Sequence, residues 1–336
     1  MSKIDFAFLV HPRHIEDIYI QYPLLRFLNR KFLSFLIQFM RPVVGPCIYG
    51  GLDIDGNPVN GRLIIVPLTA HQMLQDKDYA KNKVIDAVTL SNKLGARIIG
   101  LGALTSSVTN GGTAVLSKKG HAIITSGNSL TVSTTFKDVK YIIEKRKISG
   151  PIAIVGATGS IGRALSLLFS NSEEINNNLI LIGKTPSRVD ELMGSLIGLR
   201  GDIRASVDIN EISDADIILI CTSAHDAVVH GYMVKSGVVI YDVTQPKNTS
   251  KELQHRKDIT YIDGGYISAP ESIYIKANIG LPPQALFSCL SETILLSKEK
   301  IDYPGVTEKI DLDYVNRIGL LAKKYNFNTY YITHNG

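Results

Sequence analysis

The stretch Pro151 to Gly162, reading P-I-A-I-V-G-A-T-G-S-I-G, constrains this chain more than any other. Ile152 to Val155 form a short apolar run that fits a strand buried on both faces, and a helical pattern from Arg163 to Phe169 follows it. Between them Gly156 permits a tight turn, Gly159 lets backbone N–H groups approach a pyrophosphate, and Gly162 lets helix pack on strand. The spacing therefore places Gly156, Ala157, Thr158, Gly159, Ser160, Ile161 and Gly162 around a dinucleotide at a helix N-terminus. A strand-to-helix turn that binds nothing is the plainer alternative.

A lone strand and turn cannot fold, and the residues after it supply the remainder of a sheet. Apolar runs recur at Leu179 to Ile182, Ile203 to Val207, Ile217 to Cys221, Val238 to Tyr241 and Ile259 to Ile262, with helical stretches such as Arg188 to Leu199 between them. That alternation predicts an α/β fold: a Rossmann-type doubly wound parallel sheet. The end of its second strand bears on the cofactor, because a carboxylate there would receive the ribose 2′-hydroxyl of NAD. The residues present are Gly183-Lys184-Thr185-Pro186-Ser187-Arg188, and the cations Lys184 and Arg188 with Thr185 favour NADPH, although a solvated basic turn reads the same way. Thr222 and Ser223, just past the fourth run, are placed on the same cofactor.

The 336 residues suggest two domains at about 150 residues each. We expect an amino-terminal α/β substrate domain over 1–148, the dinucleotide domain over 149–282, and helices over 283–336 packing back across a cleft between the two. In the first part, Phe6 to Val10 reads as a strand, Cys47 to Ile54 and Arg62 to Pro67 as a hairpin about Asp55-Gly56-Asn57-Pro58, and Ala70 to Leu94 as a helix stopped by Gly95. Two small-residue loops follow strands there, Leu101 to Ser107 and Thr125 to Ser129, so Ser106, Ser107, Gly127 and Asn128 are candidate substrate contacts, as are Gly264 and Gly265 further on. Leu24 to Met40 has helical spacing with apolar residues beyond one stripe, and Arg26, Arg30, Lys31 and Arg41 are its charges. It reads as a core helix, as a lipid-surface helix, or as a lid over an acyl tunnel.

Cys47, Cys221 and Cys289 lack any Cys-x-x-Cys spacing, which disfavours a disulfide scaffold and a zinc site, so no metal is expected. A formal charge of +5 is too small to argue for nucleic acid. No apolar run reaches the roughly 18 residues of a spanning helix, and the first residues lack a basic leader, so a cytoplasmic protein is expected. Pro282 and Pro283 predict the start of a helix that would put Cys289 two turns inside on a mostly apolar face, where a buried, inert thiol is the simple reading.

Together, Leu101 to Ser107, Thr125 to Ser129, Gly156 to Gly162 and Gly264 to Glu292 resemble the long-chain acyl-acyl carrier protein reductases known best from cyanobacteria. The resemblance implies an oxidoreductase of lipid metabolism that reduces a fatty acyl thioester to a fatty aldehyde with NADPH. It implies that Cys289, in Phe287-Ser288-Cys289-Leu290-Ser291-Glu292, carries the acyl group as a thioester intermediate. Its partners would be acyl carrier protein or acyl-CoA, with peripheral membrane lipid and a homo-oligomer also compatible. Two other classes share the dinucleotide signature: a shikimate- or amino-acid-type NADP dehydrogenase that needs no thiol, and a binding protein that senses NADPH without turnover.

Overall fold

The computed structural model describes residues 3–51, 58–199, 202–224, 227–276, 279–299, 303, 306–307 and 309–334. In chain order the first elements are β1 (Phe6–Val10), α1 (Ile15–Gln21), α2 (Arg30–Ile37), β2 (Val43–Gly51), β3 (Pro58–Ile65), α3 (Ala70–Gln75), α4 (Lys77–Lys93), β4 (Ile98–Leu101), α5 (Leu104–Ser107) and β5 (Ile123–Thr125). Next come α6 (Asn128–Arg146), β6 (Ile152–Val155), α7 (Ser160–Asn171), β7 (Leu179–Ile182), α8 (Pro186–Gly194), β8 (Ile203–Ser206), β9 (Ile217–Ile220), β10 (Val239–Asp242), α9 (Lys251–Gln254) and β11 (Thr260–Ser268). The last are β12 (Ile273–Ile275), β13 (Ala285–Phe287), α10 (Ser288–Lys298), α11 (Leu312–Lys324) and β14 (Asn328–Thr333).

Contacts divide the chain into two compact units. Unit 1 is Met1–Leu130, Ile267–Glu308 and Arg317–Asn328; unit 2 is Thr131–Tyr266, Lys309–Asn316 and Thr329–Gly336. By contacts α10 groups with the amino-terminal strands in unit 1, and α6 from Thr131 onward groups with unit 2.

Unit 1 is built on a sheet in the order β12-β2-β3-β1-β4-β5. Strands β3, β1, β4 and β5 run parallel, while β2 pairs antiparallel with β3 and with β12. The expected hairpin is thus present, Val43 opposite Ile65 and Gly51 opposite Pro58, and most of its connecting turn lies outside the described residues. Two expected helices are interrupted. The Leu24 to Met40 pattern is a 3-10 turn, Pro23–Phe27, and then α2, whose first amides are capped by the Asn29 side chain. Likewise Asp76 ends α3 and accepts from the Tyr79 N–H to start α4.

In unit 2 six strands follow the order β11-β10-β9-β6-β7-β8, with the paired strands of β10-β9-β6-β7-β8 and β10-β11 parallel and β14 pairing with β11. Renumbered within the unit this is the doubly wound 3-2-1-4-5-6 order, whose direction reverses between β6 and β9. Alternate residues bury to opposite faces: Ile152, Ile154, Leu179, Leu181, Ile217 and Leu219 join one core, and Ala153, Val155, Ile180, Ile182, Ile218 and Ile220 the other. Continuous apolar runs are what a sheet covered on both sides requires. The fold is therefore α/β, Rossmann-type in unit 2, with a second α/β unit beside it in sequence.

Candidate functional site

The reversal of strand order brings the ends of β6 and β9 together, and the glycine turn sits there. Gly156 has φ +86°, and a Cβ on it would stand 2.9 Å from the Thr222 nitrogen, so only glycine fits between the turn and the end of β9. At Gly162 a Cβ would lie 2.3 Å from the Gly156 oxygen and 2.9 Å from the Ala157 Cα, which fixes α7 tightly against the turn. Gly159 is different. A Cβ there meets the Gly156 oxygen at 3.2 Å and otherwise only the Cys221 oxygen at 3.8 Å, so its outer side is open. As the residue before α7 it stands at a twelve-residue helix's N-terminus, with no side-chain cap on the first amides. Ser160, Ile161 and Gly162 thus form the first turn of a helix, whose N-terminal amides favour an anion.

Lys184, Thr185 and Arg188 are exposed at the end of β7, and the Arg188 guanidinium donates to the Thr158 carbonyl at 3.0 Å. That bond ties the basic residues to the glycine turn. Gly183 is buried between them, a Cβ there falling 2.7 Å from Thr158 Cγ2. Thr222 and Ser223 follow β9 directly, Thr222 against Gly156. All twelve residues expected at the cofactor therefore lie on one turn and the two strand ends beside it. The neighbouring Cys221 thiol is held well above its usual range by burial and by Asp242.

Unit 1 contains the second cluster. The sequence places Cys289 deep in a helix beginning at Pro282; the structure places it second in α10, after a turn and β13. The Ala285 N–H donates to the Pro282 carbonyl at 3.1 Å, and Gln284 has φ +67°, so the prolines open a tight turn instead of a helix. Cys289 is only partly buried. Burial pushes its thiol up to about 12, opposed by the Leu290 N–H, reinforced by the Glu292 carboxylate, and opposed again by the N–H groups of Cys289 and Ala103. Cys289 lies in the first turn of α10, yet the net effect on its thiol is upward, because burial outweighs these amides.

The Ala103 donor is held in place at a cost. Its φ of 49° and ψ of −126° lie in a region that side chains rarely enter, and such strain amounts to about 1–3 kcal/mol. His11 supports this turn. Its Nε2 accepts from the Leu104 N–H at 3.4 Å while Nδ1 lies 3.0 Å from the Pro12 carbonyl, and burial lowers its pKa to about 4, so the ring is neutral. Opposite, Gly127 presses on Cys289: a Cβ on Gly127 would lie 2.3 Å from the Cys289 Cα. Gly100 makes similar room for α10, since its Cβ would fall 2.1 Å from Thr293 Oγ1.

Glu292, one turn after Cys289, is fully buried and binds the loop that carries Gly127. It accepts from Thr125 Oγ1 at 2.6 Å and from the Leu130 N–H at 2.7 Å. Burial raises its pKa to about 7 against these bonds and that of the Ser129 N–H. Tyr303 donates to Thr125 Oγ1 at 3.3 Å, and burial beside Glu292 keeps its phenol protonated.

Of the expected substrate contacts, Gly127 meets Cys289, and Asn128 follows it with its N–H on Ser126 Oγ. Ser106 and Ser107 lie in α5 immediately after Ala103, Ser106 buried and Ser107 exposed. Gly264 belongs to unit 2, where a Cβ would strike the Tyr241 ring at 2.1 Å, and Gly265 has φ +80°; packing and backbone conformation account for both. Lys276, whose charge could act on a thiol, instead follows the edge strand β12, its N–H on the Cys47 carbonyl. Sequence reasoning missed Ala103, His11 and Glu292 as parts of this cluster. Only Glu292 left a signal: three residues from Cys289, it shares a helix face with it.

No family model matches this sequence. Over 285 residues, 82% of the chain, it is 30% identical to a protein named aminotransferase PigE from Serratia sp. (strain ATCC 39006), of which it spans only 33%. Among solved structures, L-tryptophan dehydrogenase from Nostoc punctiforme matches 77% of this chain and 69% of its own at 13% identity and TM-score 0.35. Thermococcus litoralis Δ1-pyrroline-2-carboxylate reductase, solved with NADH and L-proline, matches 37% of this chain and 41% of its own at 19% identity and TM-score 0.29. The catalytic subunit of M. jannaschii aspartate transcarbamoylase matches 76% and 78% at 11% identity and TM-score 0.32. Likenesses at that level assign no activity to this chain. The resemblance to acyl-acyl carrier protein reductases is corrected by the first of these matches: the relative that aligns with 82% of the chain bears another name. The short motifs behind that resemblance serve strand-to-helix turns and close helix packing, which unrelated activities share.

Proposed function

We propose that this chain is an NADP-dependent oxidoreductase that exchanges a hydride with a carbonyl substrate. The observation that carries the reading is the glycine turn at the reversal of a 3-2-1-4-5-6 sheet, with Gly159 open on its outer side at the N-terminus of α7. Gly156 to Gly162 would hold the pyrophosphate, and Lys184 and Arg188 would pair with a 2′-phosphate. A reduced nicotinamide bound there supplies the hydride. Calorimetric titration tests this: NADPH binds more tightly than NADH, and Lys184→Ala weakens NADPH by roughly 10- to 150-fold, the loss of a charge-assisted contact of about 1.5–3 kcal/mol, with little change for NADH. Equal losses for both dinucleotides would overturn the NADP assignment, and no binding of either would overturn the function.

A second reading, favoured by the place of Cys289 in the first turn of α10 against Gly127, adds a covalent step. The thiolate attacks the carbonyl carbon of an acyl thioester, the donor's sulfur leaves with the proton that Cys289 gives up, and the carbon to be reduced is held on Cys289. The N-terminal end of α10 would favour the negative charge on the attacking sulfur, against the burial that raises the thiol. Intact-protein mass spectrometry after mixing with an acyl thioester, without NADPH, distinguishes the readings. An acyl adduct absent in Cys289→Ser supports the covalent step; turnover on a carbonyl substrate that survives Cys289→Ser leaves hydride transfer without a thiol.

A further inference from the structure

We propose that the segment from Tyr22 to Arg41 docks unit 1 on an anionic lipid bilayer. The proposal stands independently of the oxidoreductase reading. Helix α2 is apolar on two sides. Leu33 and Ile37, each 4% exposed, pack inward with Ile15, which satisfies the ordinary need of an amphipathic helix for a core. The opposite side carries Phe32, Phe35 and Phe39, and the 3-10 turn before it carries Leu24 and Phe27, which are 81% and 89% exposed. Single exposed apolar residues are commonplace; this many large ones along one short segment form a continuous patch that folding within unit 1 leaves uncovered.

Charge decides the occupant. From Ile18 to Leu52 the sequence contains Arg26, Arg30, Lys31 and Arg41 and no Asp or Glu. Arg30 is paired with Glu16 at 3.0 Å, whereas Arg26, Lys31 and Arg41 have no carboxylate in ion-pair reach among the described residues. A second copy of the chain would bring this patch against itself across a twofold axis, cation on cation. An anionic bilayer complements both features: phenylalanine and leucine enter the acyl boundary while arginine and lysine meet lipid phosphates. No helix among the described residues is long and apolar enough to cross a membrane, so the contact is interfacial.

The chain contains no tryptophan, so Phe35→Trp introduces a single reporter at the patch. With vesicles of phosphatidylcholine containing about one third phosphatidylglycerol, its emission should shift to the blue, and binding should fall at least roughly tenfold between about 0.05 and 0.5 M salt. Phe27→Ser with Phe39→Ser should reduce binding by roughly 10-fold or more, since each ring loses an apolar site. Arg26→Gln with Lys31→Gln and Arg41→Gln should abolish the preference for anionic over neutral vesicles. Folding of each variant is verified by circular dichroism. A reporter that stays red with anionic vesicles at low salt overturns the proposal. So does a blue reporter in protein alone that tracks a concentration-dependent dimer by ultracentrifugation, which would assign the patch to a second copy, or one that responds to an acidic protein but not to vesicles.

Discussion

Ala103, with φ 49° and ψ −126°, carries backbone strain beside the thiol cluster, and that strain can be measured. Ala103→Gly relieves about 1–3 kcal/mol of strain against roughly 0.5–1 kcal/mol of added unfolded-chain entropy, and should stabilise the protein by about 1 kcal/mol in denaturant titration. A destabilised variant would contradict the strain. Glu292 supplies a pH signature. Its folded pKa of about 7 lies above its usual 4.5, so the folded state binds the extra proton and stability is greatest below pH 4.5. As pH rises through 7, a contribution on the order of 3 kcal/mol is lost. Asp138, buried beside Tyr241 and likewise raised to about 7, adds a loss of the same sign. Glu292→Gln should flatten the fall in stability between about pH 4.5 and 7 without removing the part due to Asp138; an unchanged slope would show that Glu292 stays ionised throughout. Cys221 and Cys47 provide the control for Cys289, since Cys221 lies beside the glycine turn, partly buried, and Cys47 in β2 accepts from the guanidinium of Arg62 in β3. If the covalent step operates, Cys289→Ser stops adduct formation and the other two serine variants keep it.

Elements were legible in proportion to how local their causes are. The four strands β6, β7, β9 and β10 read directly from the sequence, because a strand buried on both faces is a continuous apolar run with little else to mimic it. The glycine turn was equally legible, since each glycine answers a separate steric demand. The start of α10 was not. Pro282 and Pro283 carry the same signal at a helix start and at the first corner of a tight turn, and only the positive φ of Gln284, which no residue type announces, separates the two. Cys289 therefore moved from the interior of an expected helix to its first turn, and the argument against help from the helix terminus reversed with it. The break before α2 was hidden because apolar residues persist through it, although Asn29 could have been read as an N-cap. The glycine turn makes its own prediction. Gly159→Val should fold normally and lose NADPH binding, whereas Gly162→Ala should lower thermal stability, its new methyl meeting backbone at 2.3 Å. The reverse pattern in thermal melts and NADPH titrations would mean that the roles of the two glycines have been exchanged.

For the whole molecule, two α/β units carry two chemically distinct clusters: a glycine turn with basic residues in unit 2, and a thiol in the first turn of α10 with the buried Glu292 in unit 1. The chain spans a third of the relative it matches, so activities attached to that name belong to a much longer protein. What this chain itself contains is a complete doubly wound sheet with its ligand edge in order, and dinucleotide binding there is the central claim. The most direct measurement is hydrogen–deuterium exchange of the full chain with and without NADPH, read on peptides covering residues 151–170. The account predicts that the amides of Ser160, Ile161 and Gly162 exchange more slowly when NADPH is present, and that Gly159→Val removes this protection. Unchanged exchange across the turn at saturating NADPH, or protection confined to other segments, would contradict it.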